Sequence, residues 1–318
     1  MLSPWLDNLI WDAAVLLAAV LLDLLLPEPP HALHPVVWTG RVTGALRRLA
    51  PRQPVAAFAF GCVMVVVVVG GAGAAAWFGL GALASLHPIA YVIGGAVALR
   101  TAFAVTGLTS AARRTGQALA EGRLSDARVS LRSLVSRDAA ALTPPLVAAA
   151  AIESVAENTT DSFVAPWLAF ALFGVPGAIA YRALNTMDSM VGYRGATEYL
   201  GKAAARLDDA VNLIPARLSA LLLLASGWLA RLPAGRAWRT MRSDRGATAS
   251  PNAGVTMSVM AGLLGVRLEK PGHYVLGSEL REPAPADIDR AVRIVNRTAV
   301  LAVVVALAVL AGRVAITG

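Results

Sequence analysis

Residues Val55–Ala84 read VAAFAFGCVMVVVVVGGAGAAAWFGLGALA, an apolar run without one charged side chain. About 20 such residues carry a helix across the hydrocarbon core of a bilayer, so the run reads as a membrane span. Its valines, Val65–Val69, are β-branched and favour strands in soluble proteins. A strand of such length has no place in a soluble fold, and helix is the expected state.

Working outward, residues 8–26, 88–110, 213–232 and 298–316 form comparable apolar stretches. A weaker one, 162–180, holds Pro166, Gly174, Pro176 and Gly177, a composition suited to a broken or re-entrant helix covered by protein or water. The first stretch has no basic leader, carries Asp12 and Asp23, and lacks a small-residue cleavage site before Pro27. It reads as a retained helix, not a cleaved signal. The expectation is an all-α, polytopic transmembrane protein with about five spans, broken or re-entrant helices around 139–180, and helical cytoplasmic loops. Residues 1–318 are expected to form one membrane-embedded domain, with 111–138 and 233–297 as its cytoplasmic segments.

Composition agrees: 57% of residues are hydrophobic, only 15% are charged, and the mean hydropathy is +0.62. Basic residues gather in 27–54 (Arg41, Arg47, Arg48, Arg52), in 111–138 (Arg113, Arg114, Arg123, Arg128, Arg132, Arg137) and in 233–297. Short loops rich in Lys and Arg stay in the cytoplasm, which leaves the N-terminus and the Ser85-Leu86-His87 link outside. Residues 181–212, with Arg182, Arg194, Lys202 and Arg206, are placed inside as well if 162–180 and 213–232 do not both cross. The net charge of +8 is explained by these loops lying beside anionic lipid. There is no basic stripe with interleaved aromatics, so nucleic acid is not an expected partner.

Cys62 is the only cysteine, which excludes a disulfide and a thiolate metal site. His31, His34, His87 and His273 lack zinc-ligand spacing, and no Gly-rich loop with a Lys marks a P-loop.

Two polar stretches interrupt the apolar pattern. In Glu153-Ser-Val-Ala-Glu157-Asn158-Thr159-Thr160-Asp161, a regular helix would place the three carboxylates at i, i+4 and i+8 on one face, where like charges repel. Charge beside a membrane core marks function by default; the other reading is a solvated turn in which Asn158, Thr159 or Thr160 caps a helix starting near Ser162. The second stretch holds Arg182, Asn185, Asp188, Tyr193 and Arg194, then Lys202, Arg206, Asp208 and Asp209. Carboxylate with amide suits a hard cation held on phosphate oxygens, and the arginines suit phosphate or carboxylate groups. Taken pair by pair, the same residues also read as surface salt bridges. Ser250-Pro251-Asn252-Ala-Gly254 reads as a turn before a short helix, and Gly272–Gly277 as a loop that covers a site.

The ordered set His34-Pro35-Val36, Ser136-Arg137-Asp138, Glu153-Ser-Val-Ala-Glu157-Asn158-Thr159, Tyr181-Arg182-Ala-Leu-Asn185-Thr-Met-Asp188, Ala205-Arg206-Leu-Asp208-Asp209, Pro215-Ala-Arg217-Leu and Ser250-Pro251-Asn252-Ala-Gly254 resembles the adenosylcobinamide-phosphate synthase family of cobalamin biosynthesis, over residues 20–295. The resemblance implies a bacterial inner-membrane enzyme with its site at the cytoplasmic face. Such an enzyme joins adenosylcobyric acid to (R)-1-aminopropan-2-ol phosphate, with ATP and Mg²⁺ as cofactors and other late corrinoid enzymes as possible membrane partners.

Carried onto this chain, it assigns catalysis to Glu153, Glu157, Asn158 and Asp161, and magnesium to Glu157, Asp161 and Asp188. Substrate and nucleotide binding fall to His34, Arg137, Arg182, Asn185, Asp188, Tyr193, Arg194, Lys202, Arg206, Asp208, Asp209 and Asn252. The chain departs from the family pattern in two places. Pro27-Glu28-Pro29 replaces Gly-Asp-Pro, and Met257 stands where a Glu is usual. A secondary transporter and a non-catalytic scaffold for corrinoid enzymes are the alternative readings.

Overall fold

The computed structural model describes residues 9–27, 34–193, 195 and 197–317. In chain order its helices are α1 (Leu9–Leu25), α2 (Pro35–Arg48), α3 (Pro54–Val65), α4 (Gly71–Leu86), α5 (Pro88–Arg100), α6 (Val105–Ala120) and α7 (Leu124–Leu131), followed by α8 (Pro144–Thr159), α9 (Ala165–Val191), α10 (Glu198–Val211), α11 (Leu213–Leu229), α12 (Ala234–Asp244), α13 (Ala253–Leu264) and α14 (Pro285–Thr317). One antiparallel pair, β1 (Leu268–Lys270) and β2 (Tyr274–Leu276), sets Leu268 opposite Leu276 and Lys270 opposite Tyr274. The stretch 272–277, expected as plain loop, therefore contributes to a hairpin.

Several helices start on the same device. Proline at the first helical position has its φ preset and no N–H to leave unsatisfied, and the residue before it caps the turn. His34 Nδ1 accepts from Val36 N at 3.3 Å, Gln53 Oε1 from Ala56 N at 2.8 Å, and His87 Nδ1 from Ile89 N at 3.2 Å.

Four helical runs are long and apolar enough to cross a membrane: Pro54–Leu86, Pro88–Ala120, Pro144–Val191 and Pro285–Arg313. The pair α10 and α11, bent by 44°, makes a fifth if it counts as one span. The opening run of the sequence is thus helical throughout. Its valines wind as a π turn, Val66–Gly70, which spreads β-branched side chains that crowd one another in a regular helix. Helix α1 has 17 described residues, about 26 Å at 1.5 Å per residue, a little under a bilayer core. The stretch 298–316 is the distal part of α14, which begins at Pro285 because Asp287 accepts from Ala284 N at 2.9 Å and caps the turn there. The expected break in 162–180 lies at Gly174, with φ 69° and ψ −169° inside α9.

The chain groups into two compact units. The first comprises Met1–Ala104, Ala165–Val211 and Val303–Gly318. Within it α1 packs on α5, α2 and α4 on α9, and α3 on α10. Gly61 and Gly201 permit the closest approaches of α10: a Cβ on Gly61 would lie 2.1 Å from Leu200 O, and one on Gly201 1.8 Å from Val191 O. Between helices in lipid, such close backbone packing replaces the hydrophobic drive that water would supply. Gly174 and the missing N–H of Pro176 release carbonyls one turn back from the α9 ladder. Arg313 donates to one of them, Ala171 O, at 3.2 Å. Its other arm pairs with buried Asp12, which also accepts from Tyr91 Oη at 2.7 Å.

The second unit comprises Val105–Val164 and Asn212–Ala302. Its centre is α8, buried from Val147 to Ala156, packed on α13, buried from Gly254 to Leu264. Helix α13 ends in a left-handed Gly265, and Arg236 Nε satisfies its open carbonyl at Gly262, 2.7 Å away. The chain leaving the hairpin is tied down twice: Gly277 N donates to Asp244 Oδ2 at 2.6 Å, and Arg281 grips Asp287 through two bonds of 2.7 Å.

Candidate functional site

In the second unit, α8 presents Glu153, Glu157 and Asn158. Glu153 is 4% exposed, and its Oε2 lies 3.0 Å from Arg137 Nη2. Arg137 sits in the loop before α8. Ser154 Oγ bonds Leu134 O at 2.7 Å, and Asp138 turns the loop by accepting from Ala140 N at 2.9 Å. The Glu157 side chain is accessible at the surface of α8. Asn158 Nδ2 turns back to Ser154 O at 2.9 Å, which keeps it on the helix side of the site.

Asp161 falls in a π turn, Thr160–Val164, where the regular i, i+4 spacing is lost. The single face expected to hold Glu153, Glu157 and Asp161 therefore ends at Glu157.

The pair is incomplete. Arg137 Nε and Nη1 and Glu153 Oε1 are buried without a hydrogen-bond partner. Each such unmade bond on a buried charged group costs about 1–3 kcal/mol or more, so the site stores an unmet demand for both an acceptor and a donor.

The hairpin supplies the opposite wall, because β1 packs on α8. Lys270 acts on the charges of both Glu153 and Glu157. Tyr274, its cross-strand partner, points its hydroxyl toward Met257 Sδ at 3.8 Å. Burial, and then the charges of Glu153 and Glu157, push the Tyr274 phenol above its ordinary range. It remains a neutral donor at any physiological pH. Two carboxylates, two cations and one hydroxyl thus share this site. Asn252 lies at the start of α13, where its Oδ1 accepts from Arg217 Nη1.

The first unit gathers the other stretch. Asp188 on α9 has Asp208 and Asp209 of α10 as like-charge neighbours. Arg182 Nη1 reaches Asn185 Oδ1 at 3.4 Å, Lys202 lies over the Tyr199 ring at 5.7 Å, and Arg206 and Tyr193 are exposed. His34 caps α2 in the same unit. Arg194 and Glu28 lie outside the described residues. Among the described residues, no group of three or more His, Cys, Asp or Glu is placed to hold a metal ion. Of the proposed magnesium ligands, Glu157 and Asp161 belong to one unit and Asp188 to the other.

The sequence description of the CobD/CbiB protein family matches residues 16–295. The chain belongs to the CobD/CbiB family. It is 43% identical over 297 residues to the cobalamin biosynthesis protein CobD of Dehalococcoides mccartyi, covering 93% of this chain and 96% of that protein. It is 38% identical to the CobD of Klebsiella pneumoniae, covering 87% and 90%, and 36% identical to the cobalamin biosynthesis protein CbiB of Salmonella choleraesuis, covering 92% and 96%. No solved structure matches the chain.

In this CobD/CbiB chain, motif reading passes over Lys270 and marks Met257 only as a departure from the family pattern. Lys270 lies in a strand of three residues, too short to show alternation. Met257 is 2% exposed and brings a thioether to the wall beside Tyr274. The one signal in the sequence is composition: Gly272 and Gly277 bracket a turn-rich stretch next to Lys270.

Proposed function

We propose that this chain is an amide-forming enzyme of cobalamin biosynthesis. It joins adenosylcobyric acid to (R)-1-aminopropan-2-ol O-phosphate at the expense of ATP and gives adenosylcobinamide phosphate. Membership in the CobD/CbiB family supports the pathway. The observation that supports the chemistry is the group of Glu153, Glu157, Arg137 and Lys270 around unpaired buried donors and an unpaired acceptor.

Amide formation needs an activated carboxyl group. The corrinoid carboxylate attacks the γ-phosphorus of ATP and ADP departs, leaving an acyl phosphate. The substrate ammonium gives one proton to Glu157, and the free amine attacks the acyl carbon. Phosphate leaves with the electrons of the C–O bond, and the second amine proton follows to the departing phosphate. Arg137 and Lys270 orient oxyanions, and Glu153 holds Arg137 in place. Magnesium is commonly held by one or two carboxylates with substrate phosphates completing its shell, and Glu157 and Asp161 of the second unit are the carboxylates that would hold it here. When bound, the ion neutralises phosphate charge. Arg182, Arg206 and Lys202 of the first unit are assigned to nucleotide or corrinoid phosphate.

The site is assigned to the cytoplasmic face of a bacterial inner membrane, where ATP is available, with the basic segments 111–138 and 233–297 on that side. The test is purified protein in nanodiscs with adenosylcobyric acid, ATP, Mg²⁺ and aminopropanol phosphate, followed by mass spectrometry of the corrinoid. An unchanged corrinoid overturns the proposal. Uptake into proteoliposomes without ATP favours a transporter, and failure to complement a synthase-deficient strain favours a scaffold.

A further inference from the structure

We propose that α12 is a docking face for negatively charged lipid headgroups: its outward side chains, Trp238, Arg239 and Arg242, with Arg245 just past its end, take phosphatidylglycerol-type lipid at the edge of the bilayer. The proposal does not depend on the reaction assigned to the α8–hairpin site.

The second unit carries its own marker of where the apolar layer ends. Ser226 on α11 and Thr298 on α14 share a hydrogen bond of 2.8 Å between their hydroxyls, which sets these two positions at one level. Both helices change character there. Before it along α11 and after it along α14, outward side chains such as Leu221 and Val300 are apolar and exposed. Beyond it along α11 stands exposed Arg231, and before it along α14 stand exposed Arg293 and Arg297. The exposed acid of this part of α14, Asp289, lies one turn before Arg293, farther from the apolar run. Exposed Trp228 falls at the changeover, the depth that tryptophan favours in a bilayer.

From that level the chain turns directly into α12. Arg231 adopts φ 58°, and Leu232 N bonds back to Gly227 O at 2.8 Å, so α12 opens at Ala234, beside the end of α11. The apolar side of α12, Ala237 and Met241, is already covered by α13. What remains outward is exposed Trp238, with Arg242 one turn on, Arg245 beyond it and Arg239 alongside. The acid of this helix, Asp244, is turned to the hairpin, where it accepts from Gly277 N at 2.6 Å. None of the ion pairs among the described residues involves the three arginines. An arginine-rich face with an exposed indole, held at the margin of the apolar layer, matches an anionic headgroup: the guanidinium fork fits a phosphodiester, and the indole fits the interface. A zwitterionic headgroup would leave the positive charge uncompensated.

The test uses the full chain in phosphatidylcholine nanodiscs containing a minor fraction of phosphatidylglycerol, with bromine high on the acyl chains of one lipid or the other. Trp238 fluorescence is read as the difference between wild type and Trp238→Phe. Brominated phosphatidylglycerol is expected to quench it at least about fivefold more per molecule than brominated phosphatidylcholine. Combining Arg239→Gln, Arg242→Gln and Arg245→Gln, or raising the salt, is expected to bring the two lipids level. Native mass spectrometry of wild-type protein alone, which needs no variant, is expected to show phosphatidylglycerol retained over phosphatidylcholine. Equal quenching or equal retention of the two lipids overturns the proposal, as does a preference that survives the triple substitution. Quenching by neither lipid would place the face in water and assign it to a soluble acidic partner, which also overturns the proposal.

Discussion

The hydroxyl of Tyr274 meets the thioether of Met257 at 3.8 Å, at the position where the resemblance leads one to expect a carboxylate. A buried phenol beside Glu153 and Glu157 stays protonated, and this has a measurable signature.

Burial and the neighbouring acids favour the neutral phenol in the folded chain. The stabilisation from a raised folded value is complete below the ordinary tyrosine value of about 10 and is lost as pH rises through the folded value. The tyrosinate absorbance difference between wild type and Tyr274→Phe is expected to develop only well above pH ~10. A difference spectrum centred at the ordinary value would show that the hydroxyl is not enclosed.

Met257→Glu puts a third acid beside Glu153 in a position that is 2% exposed. Burying it unpaired is expected to destabilise the chain by about 1–3 kcal/mol, lowering the melting temperature by several degrees, with magnesium recovering part of the loss. An unchanged melting curve with and without magnesium would place position 257 outside the site.

Glu157→Gln keeps shape and removes the base. Amide formation is expected to fall by ~10²–10⁴-fold, while expression and melting temperature hold because the side chain is exposed. Full turnover in the mutant would remove Glu157 from the mechanism.

Arg313→Ala takes from Asp12, which is 0% exposed, its ion-pair partner, at a cost of about 3–5 kcal/mol. Combining it with Asp12→Asn is expected to cost less than the single change. Thermal melts arranged as a double-mutant cycle check this; strict additivity would mean that the two side chains do not support each other.

Gly61→Ala drives a methyl against the backbone oxygen of Leu200, which no rotamer change can relieve. A large loss of folded yield is expected on size-exclusion chromatography. Gly79, also helical, has nothing within 4 Å of the added carbon, so Gly79→Ala is expected to gain up to about 1 kcal/mol. Equal effects at both positions would mean that α3 and α10 do not touch there.

Much of the fold was legible because lipid imposes a coarse rule: an apolar run such as Val55–Ala84 has few folded options. The Gly174 break could be foreseen from its Gly and Pro content. The π turns at Val66–Gly70 and Thr160–Val164 could not, since their composition fits an ordinary helix as well, and the second cost Asp161 its predicted face. Glu153 and Glu157 announced themselves as charges in an apolar setting, whereas Arg137 joined them only through the motif resemblance. Lys270 stayed hidden because its three-residue strand is placed by pairing with β2 and packing on α8, tertiary partners that no local pattern records.

The first unit is written in three separated portions of the chain, and the whole of the second falls between them in sequence. The pair that Asp12 forms with Arg313 spans 301 positions of sequence, so this contact within the first unit closes only once the last helix has taken its place.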